Sequence, residues 1–568
     1  MSEIYNTLTT PYNVYDENGE MAWDIYPRPQ FVRDSYLSLN GKWSFGEGDS
    51  TDSEILVPFP PESALSGYAR SIPSGVMTYK RSVTVPDGFI KDRLILHFGA
   101  VDQKCELRID GKEAMRHDGG YLPFSSDITD LISGSTFEIT LKVTDTLDES
   151  YPYGKQRKKR GGMWYTPVSG IWQSVWLESL PEKPILSISI EQNAISAKIK
   201  VNSEAETKKL TLRDDGSVYE FKGDEITVTP KNIRNWSPED PYLYYFTLET
   251  ETDKIESYFA LREVGAAKVG EREYLTLNGK PYLFNGLLDQ GYFPDGIFLP
   301  ASPEAFHDDI LLAKRLGFNT LRKHIKIEPQ IFYHLCDTLG IAVFQDMVNN
   351  SHYSFFRDTL LPTIGIKKLD PSRYHNSVVS HARFNEQASG TVELLRSSPS
   401  VCLYTIFNEG WGQFLSDTEY EIFKELDPSR IYDTTSGWFS GKRSDVDSRH
   451  IYFKMPKIKD PDGRPIHLSE FGGYSLRIEG HLFGKKNYGY RLYLNQESFT
   501  DAVCKLYREG VTPLTDIGLS ALIYTQLSDV EDETNGLITY DRRVVKIDEE
   551  RMLDANKALY SAFEKATK

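Results

Sequence analysis

The stretch VCLYTIFNEGWGQ, residues 401–413, decides the fold predicted for this chain. Val401 to Phe407 form an apolar run rich in β-branched and aromatic residues, which is typical of a strand buried on both faces of a parallel sheet. Asn408 and Glu409 follow where that strand would end, so rigid backbone would hold their side chains at a cavity. The alternative is an ordinary turn with Glu409 in solvent.

Strand-like and helix-like segments alternate on both sides of this stretch. The predicted strands are NTLRKHI, IAVFQDM, VCLYTIFNE, RIYDTTSG, HIYF, PIHLSEFGG and SALIYTQLSD, and the predicted helices are PEAFHDDILLAKRLGF, PQIFYHLCDTLG and TEYEIFKELD. Such alternation indicates parallel βαβ units. Its length and strand count fit a closed (β/α)8 TIM barrel over residues 266–568.

The sequence before residue 266 has the pattern that is typical of β-sandwiches. Short apolar runs separated by turn residues predict an antiparallel sandwich over residues 1–180, and well-alternating runs predict a second, smaller one over residues 181–265. Asn40-Gly41 and Asp110-Gly111 are expected to form two-residue hairpins. Four tryptophans of the first sandwich are expected mostly in its core: Trp43, Trp164, Trp172 and Trp176.

Composition excludes several classes of partner. The net charge of -17 and the pI near 5.3 argue against nucleic acid and against an anionic membrane surface. The one basic run, Arg157 to Arg160, is expected to be a solvated loop. Four scattered cysteines favour neither disulfides nor structural zinc, and no leader or long apolar run is found, so a cytoplasmic protein is expected.

Reactive groups of a barrel lie where its strands end. The strand ends here carry Arg322, His324, Asp346, Asn408, Glu409, Thr435, Trp438, Tyr452, Glu470, Gln526 and Asp529. Glu409 and Glu470 stand out because two acids facing one cavity are the minimum apparatus for glycoside hydrolysis. One acid must protonate the leaving oxygen while the other attacks or activates water.

Other chemistries find less support. The sequence contains no Gly-x-Ser-x-Gly elbow, no phosphate-binding Gly-rich loop with Gly-Lys, and no His-Glu-x-x-His helix. The acidic residues Asp529, Glu531, Asp532 and Glu533 could bind a cation, but a solvated loop with one member reaching substrate hydroxyls is favoured. No metal ion and no cofactor are therefore expected.

Motifs along the whole chain resemble glycoside hydrolase family 2, which contains β-galactosidases, β-glucuronidases and β-mannosidases. SLNGKWSFG, VPFPPESALSG and SGIWQSVWLE resemble its sugar-binding jelly roll, and NWSPEDPYLY with FALREV is similar to the end of its immunoglobulin-like domain. LTLNGKPYLFNG, LGFNTLRKHI, SSPSVCLYTIFNEG and PIHLSEFGG resemble its barrel. The resemblance implies a jelly-roll sandwich, an immunoglobulin-like sandwich and a TIM barrel within the ranges given above.

The resemblance also implies roles for the strand-end residues. Glu409 would be the general acid/base and Glu470 the nucleophile of a reaction that retains anomeric configuration, with the two carboxyl groups about 5 to 5.5 Å apart. Asn408 would hold the sugar 2-hydroxyl, Arg322 would keep Glu470 ionised, and Tyr452 would hydrogen-bond it.

The sequence departs from the family's pattern in segments that are expected to contact the sugar. GLLDQGYFPDG replaces an Asn-Arg-His-like segment after the first barrel strand, and Asp289 is a candidate to replace one of its contacts. The Asn-x-Lys pair that holds a sugar carboxylate in family β-glucuronidases occurs only at residues 40–42 and 278–280, both in expected hairpin turns, although another basic group could serve. Thr525 and Gln526 stand where many members have Trp, so Trp411 or Trp438 would supply the sugar platform.

The function expected from the sequence is an exo-acting retaining β-glycosidase, β-galactosidase-like, with a carbohydrate as its partner. His324, Gln526 and Asp529 are further candidate substrate contacts. Within the same family, a β-glucuronidase or galacturonidase and an arabinopyranosidase are alternatives, and a carbohydrate-binding protein without catalysis is the alternative of another class. The family resemblance also implies a homo-oligomer.

Overall fold

The computed structural model describes residues 8–361, 371–439 and 441–568. Their secondary structure falls into two antiparallel β-sandwiches followed by a parallel eight-stranded barrel. The multidomain fold class predicted from the sequence is therefore confirmed.

The first sandwich consists of a four-stranded and a six-stranded antiparallel sheet. In spatial order, the strands of the smaller sheet are Tyr36–Ser38, Val175–Leu180, Arg93–Phe98 and Phe124–Asp127, and those of the larger are Ser53–Val57, Gly41–Glu47, Val76–Thr84, Thr136–Thr144, Lys104–Ile109 and Lys112–Asp118. Val101–Asp102 pairs with Gly170–Ile171. The four tryptophans that were predicted to be buried here, Trp43, Trp164, Trp172 and Trp176, are all buried.

One of the two hairpins predicted here is wrong. Asp110-Gly111 does connect two paired strands, since Ile109 lies opposite Lys112. Asn40-Gly41 instead joins strands of different sheets, because Tyr36–Ser38 pairs with Val175–Leu180 while the strand beginning at Gly41 pairs within the larger sheet. The buried Asn40 side chain accounts for this crossing, because its amide oxygen accepts from Val175 N at 3.1 Å.

The second sandwich packs a three-stranded against a four-stranded sheet. The first contains Ile185–Gln192, Ala197–Ser203 and Glu225–Val228, and the second Val218–Lys222, Thr207–Leu212, Tyr244–Glu249 and Lys254–Phe259. A short sheet of Val264–Val269, Arg272–Leu277 and Lys280–Pro281 leads into the barrel and contains the predicted hairpin at Asn278-Gly279.

The barrel begins at Phe284. Its first to eighth strands are Phe284–Asp289, Thr320–Lys323, Ala342–Asp346, Val401–Asn408, Ile431–Ser436, Asp447–Tyr452, Ile466–Gly472 and Leu519–Thr525. Parallel ladders join them in the order fifth to first, then eighth, seventh and sixth. Side chains join the two strands at the ends of this order, since Ser448 Oγ on the sixth donates to Asp433 Oδ2 on the fifth at 2.7 Å.

Helices surround this barrel. The α-helices are Glu304–Arg315, Gln330–Leu339, Val378–Leu395, Ser416–Leu426, Gln496–Lys505 and Glu549–Ala566, with π-helical turns at Phe355–Leu360 and Leu506–Val511 and 3-10 turns at Pro371–Arg373 and Thr512–Ile517. Two further 3-10 turns, Ala64–Ser66 and Thr129–Leu131, lie in the first sandwich. The three predicted helices are present. In the described ranges, no helix combines the length and apolar character needed to cross a bilayer.

The carboxyl ends of the barrel strands are partly covered by the first sandwich. Its segment of residues 151–166, here called the sandwich loop, reaches the ends of the second and third strands, where Tyr153 N and Gly154 N donate to Asn349 O at 3.0 and 3.3 Å. The aromatic side chains of the loop pack there against Trp411. One wall of any site at this end of the barrel therefore comes from outside the barrel.

Candidate active site

Glu409 and Glu470 meet at the carboxyl end of the barrel, with His450 of the sixth strand between them. His450 Nδ1 lies 2.9 Å from Glu409 Oε1, and its Nε2 lies 3.6 Å from Glu470 Oε1. One oxygen of each carboxylate and one nitrogen of the histidine all lie within 4.8 Å of one another. The two acids that the sequence placed on separate strand ends are thus brought to one cavity.

The backbone at Glu409 has an unusual conformation. Its φ is 58°, followed by 78° at Gly410. A non-glycine residue in this left-handed region carries a conformational cost, which persists only where the surrounding structure enforces it. Here the ladder enforces it, since Glu409 N donates to Ser436 O of the fifth strand at 2.9 Å. The chain turns sharply at the strand end, and the Glu409 carboxyl remains partly exposed.

Glu470 is surrounded by groups that favour its ionised form. Arg322 Nη1 lies 3.3 Å from Oε1, and the Tyr452 hydroxyl donates to Oε2 at 2.6 Å. Burial raises the pKa of Glu470, but the charges of His450 and Arg322 outweigh it and lower the pKa to about 2. Glu470 is therefore a carboxylate at neutral pH.

Arg322 is fully buried and held on three sides. Its Nε donates to Asp346 Oδ1 at 2.9 Å, its Nη1 to Ser469 O at 2.9 Å, and its Nη2 to Asn408 Oδ1 at 2.9 Å. Asp346 also binds His324, with His324 Nδ1 2.7 Å from Oδ2. The bond from Arg322 Nη2 uses the amide oxygen of Asn408. No described residue accepts a hydrogen bond from its NH2 group, which can therefore donate to a ligand.

Three other candidate contacts are held by neighbouring charges or amides. Asp289 accepts from Lys323 Nζ at 2.6 Å and from Gly291 N at 2.9 Å. Asp529 accepts from Lys546 Nζ at 2.6 Å. Gln526 donates to Glu533 Oε2 at 2.8 Å. Asp289 and Asp529 are thus buried ion-pair partners of lysines, and Gln526 orients Glu533. The roles of all three as substrate contacts stay predictions.

The two candidate tryptophans differ in their surroundings. Trp411 is packed edge-to-face against Tyr153 and Trp164 of the sandwich loop, with ring centroids 5.4 and 5.0 Å apart, and its Nε1 donates to Ser351 O. Trp438 lies beside His450, with centroids 6.0 Å apart. Trp411 thus helps to seat the sandwich loop, while Trp438 stands nearer the two glutamates.

The expectation of a solvated loop is wrong for the acidic residues, whereas most of the basic run is exposed as expected, at Lys158, Lys159 and Arg160. The four acids Asp529, Glu531, Asp532 and Glu533, here called the acidic loop, are all buried. Their partners come from the sandwich loop and the barrel: Thr166 N and Arg160 Nη1 bind Glu531 at 2.7 and 3.4 Å. Arg157 stacks on Trp164 with its guanidinium carbon 4.4 Å from the ring centre. The acidic loop is thus covered by the sandwich loop, and Arg160 is the residue of the basic run that pairs with it.

Sequence reasoning missed His450 and Tyr490. His450 had a usable signal, because it lies two residues before Tyr452 and alternate residues of a strand share a face. Tyr490 stacks on Tyr452 with centroids 4.0 Å apart. It lies outside the regular strands of the barrel, so it had no periodic signal.

The group of Glu409, His450 and Glu470 offers ligand atoms of the kinds that also hold metal ions. The Asn-x-Lys pairs, in contrast, lie away from this cavity. Lys42 is exposed and paired with Glu54 at 2.7 Å, and Lys280 is exposed in its hairpin.

Three family models match successive parts of the chain. Residues 59–181 match the sugar binding domain of glycosyl hydrolases family 2, residues 182–262 match the model described as glycosyl hydrolases family 2, and residues 268–461 match its TIM barrel domain. The chain belongs to glycosyl hydrolase family 2. The barrel match includes Glu409, and the order of the three matches is the order of the domains described above.

Proteins whose names state different activities are similar to this chain at low sequence identity. A β-galactosidase from Aeromonas hydrophila is 25% identical over 76% of this chain and 44% of its own length. Among solved structures, the β-D-glucuronidase of Dictyoglomus thermophilum covers 96% of this chain and 98% of its own at 19% identity, with a TM-score of 0.73. A β-galacturonidase from Eisenbergiella tayi covers 94% and 98% at 19% identity, with a TM-score of 0.67. The chain spans 43% and 44% of the length of the first two curated relatives.

Proposed function

We propose that this family 2 member is a retaining exo-β-glycosidase that uses Glu470 as nucleophile and Glu409 as general acid/base. The observation that carries the proposal is the separation of the two carboxylates, whose facing oxygens lie within 4.8 Å of one another. Retaining enzymes keep these groups about 5 to 5.5 Å apart so that one can attack the sugar, whereas inverting enzymes leave about 6.5 to 9.5 Å for a water molecule.

The surroundings of the two acids support this division of roles. Arg322 and Tyr452 stabilise the negative charge of Glu470, which a nucleophile needs, whereas among the described residues no lysine or arginine pairs with Glu409, which contacts His450. In the first step Glu409 would give its proton to the glycosidic oxygen while a Glu470 oxygen attacks the anomeric carbon, and the aglycone leaves as an alcohol. In the second step Glu409 would take a proton from water as that water displaces Glu470.

Two positioning groups complete the proposal. The free NH2 group of Asn408 can donate to the 2-hydroxyl of the sugar, a contact that strengthens as positive charge develops on the ring. The exo mode of action is supported by the sandwich loop, which covers one side of the cavity and so favours a terminal sugar over the middle of a chain.

Three glycones are candidates for this site. A β-galactoside is the expectation from the sequence, and it agrees with the names of several curated relatives. A β-uronide agrees with the names of similar solved structures. The third candidate is an arabinopyranoside, whose sugar resembles galactose without the hydroxymethyl group.

Hydrolysis of chromogenic glycosides tests the proposal. The panel contains 4-nitrophenyl β-galactoside, β-glucuronide, β-galacturonide and α-L-arabinopyranoside, and the anomer formed first is read by proton NMR. We expect at least one to be cleaved with retention. Glu470→Gln should lower kcat by a factor of about 1,000 or more. An inverted product, or full activity in Glu470→Gln, would overturn the assignment.

The control for this variant is Glu479→Gln, which changes an exposed glutamate outside the site. Its activity should equal that of the wild type. If no glycoside of the panel is cleaved but sugars bind, the chain is a carbohydrate-binding protein instead.

A further inference from the structure

His450 is held between the two glutamates by residues of the neighbouring fifth strand and of the turn after it. Its side chain is 0% exposed, whereas that of Glu409 is 16% exposed. Ser436 Oγ lies 3.0 Å from His450 Nε2. The next residue, Gly437, leaves room for the ring, because a Cβ added there would lie 2.5 Å from His450 Cγ. The imidazole is therefore fixed on two sides before any sugar binds.

His450 engages one oxygen of the Glu409 carboxyl and leaves the other free. Its Nδ1 lies 2.9 Å from Glu409 Oε1. Among the described residues no other group hydrogen-bonds to this carboxyl, so Oε2 has no partner within the protein. A proton on Nδ1 makes Oε1 the acceptor of the bond. The proton of the Glu409 carboxylic acid then belongs on Oε2.

The surroundings of Nε2 favour a proton on Nδ1. In neutral histidine the hydrogen bond made by one ring nitrogen decides which nitrogen carries the proton. The Ser436 hydroxyl can donate to Nε2, which places the proton of the neutral ring on Nδ1. The Glu470 carboxylate, 3.6 Å from Nε2, instead favours the charged ring, which has a proton on both nitrogens. In both forms Nδ1 donates to Glu409.

We propose that His450 is a positioning residue for proton donation: by engaging Oε1 it assigns the transferred proton to Oε2 of Glu409. This inference rests on the proposed glycosidase function, and it implies that the enzyme cleaves glycosides of weakly acidic alcohols and phenols. In the first step the Oε2 proton moves to the glycosidic oxygen as the bond from that oxygen to the anomeric carbon breaks and Glu470 bonds to the carbon. In the second step Oε2 takes a proton from the attacking water.

The leaving group shows whether a residue serves proton donation. 2,4-Dinitrophenolate leaves without a proton, whereas phenol needs one from the general acid. The experiment measures kcat/KM, which reports the first step, for both aryl glycosides of the cleaved sugar at pH 7. His450→Leu should lower the value for the phenyl glycoside by a factor of about 10 to 100 and that for the dinitrophenyl glycoside less than about threefold. Glu409→Gln should show the same selectivity with a larger loss.

Two further variants and a control separate the hydrogen bond from other effects. His450→Asn keeps an N–H donor near the position of Nδ1 without the charge, so it should recover most of the activity towards the phenyl glycoside. Ser436→Ala removes the hydroxyl at Nε2 and should give a smaller loss, about threefold, for the phenyl glycoside alone. His307→Leu removes a histidine–carboxylate contact of 3.1 Å with Asp308 on the first barrel helix and should leave both substrates unaffected.

The outcomes separate this proposal from the function on which it rests. If His450→Leu lowers both substrates equally and His450→Asn does not recover the phenyl glycoside, His450 only supports the site, and the glycosidase proposal stands without this role. If the wild type cleaves no glycoside, the function itself fails. Should His450→Leu not fold, as judged by its thermal transition, Ser436→Ala decides alone: a loss confined to the phenyl glycoside supports the proposal, and an equal effect on both substrates overturns it.

Discussion

At the scale of single residues, the site depends on how charge is distributed around Glu470. Arg322, His450 and Tyr452 all approach this one carboxylate, while Glu409 meets His450 alone among them. His450 therefore contacts both carboxylates. A change in the charge of Glu409 or of Glu470 should alter the environment of the other acid through this histidine. Pairs of acids with such different surroundings are the usual way in which one site obtains both a nucleophile and a proton donor.

Removal of the Tyr452 hydroxyl tests this distribution. Its 2.6 Å hydrogen bond goes to a buried carboxylate. Bonds to charged groups contribute about 1.5 to 3 kcal/mol, so Tyr452→Phe should lower kcat by a factor of about 10 to 100. Tyr420→Phe removes a similar bond to Asp445 on a peripheral helix and should have no effect on kcat. Equal rates for Tyr452→Phe and the wild type would show that the hydroxyl does not assist Glu470.

The influence of His450 on the pKa of Glu470 should be visible in the pH dependence of the reaction. With its pKa lowered to about 2, Glu470 is ionised above that pH, and activity that needs its carboxylate is lost only as pH falls towards about 2. His450→Asn removes the largest influence that lowers this pKa, so the acid limb of kcat/KM due to Glu470 should move to higher pH. An acid limb at the same pH in wild type and variant would contradict this account.

At the scale of elements, strand ends were predictable and loops were not. Glu409 and Glu470 follow apolar runs whose period and length mark buried strands, and parallel strands bring their ends together. His450 could have been found in the same way, from its register with Tyr452. The burial of the acidic loop could not, because it depends on contacts between segments hundreds of residues apart, and composition alone predicted solvent exposure for it.

The seating of the sandwich loop can be tested at Gly154. Gly154→Ala introduces the left-handed penalty of about 1 to 2 kcal/mol and a clash with the backbone at Ile325. We expect the loop to withdraw, raising KM about tenfold or more if a charge contact is lost.

Gly216→Ala is the control for Gly154→Ala, because its φ is 65° and nothing lies within 4 Å of the added Cβ. It should lose stability without a change in KM. If the two variants behave alike in the kinetic assay, the loop does not form part of the sugar site.

At the scale of the whole molecule, a buried charge cluster joins the N-terminal segment to both sandwiches. Glu178 of the first sandwich binds Arg28 at 2.5 Å and Arg33 at 3.3 Å, and Arg33 binds Asp253 of the second sandwich at 2.6 Å. These bonds hold the two sandwiches in place relative to each other.

Glu178 should make the stability of the protein depend on pH. Burial raises its pKa, but Arg28 outweighs this and lowers it to about 2. Because the folded pKa lies below the unfolded value of about 4.3, the stabilisation, about 3 kcal/mol, is complete above that pH and is lost as pH falls towards about 2. Denaturant midpoints of Glu178→Gln and wild type should therefore differ at pH 7 and converge as the pH falls towards about 2.

The control for this cluster is Glu54→Gln, which removes an exposed ion pair with Lys42. Its denaturant midpoint should match the wild type at both pH values. A difference between Glu178→Gln and wild type that stays constant with pH would mean that the cluster acts through packing and not through charge.

The most direct test of the account is to identify the residue that becomes bonded to the sugar. A 2-deoxy-2-fluoro glycoside of the cleaved sugar, with a dinitrophenyl leaving group, slows the second step and allows the glycosyl-enzyme to accumulate. Mass spectrometry of proteolytic peptides should then show one added sugar residue on Glu470 and none on Glu470→Gln. A sugar bonded to another residue, or rapid turnover of the good substrates with no adduct at all, would contradict the claim that Glu470 is the nucleophile.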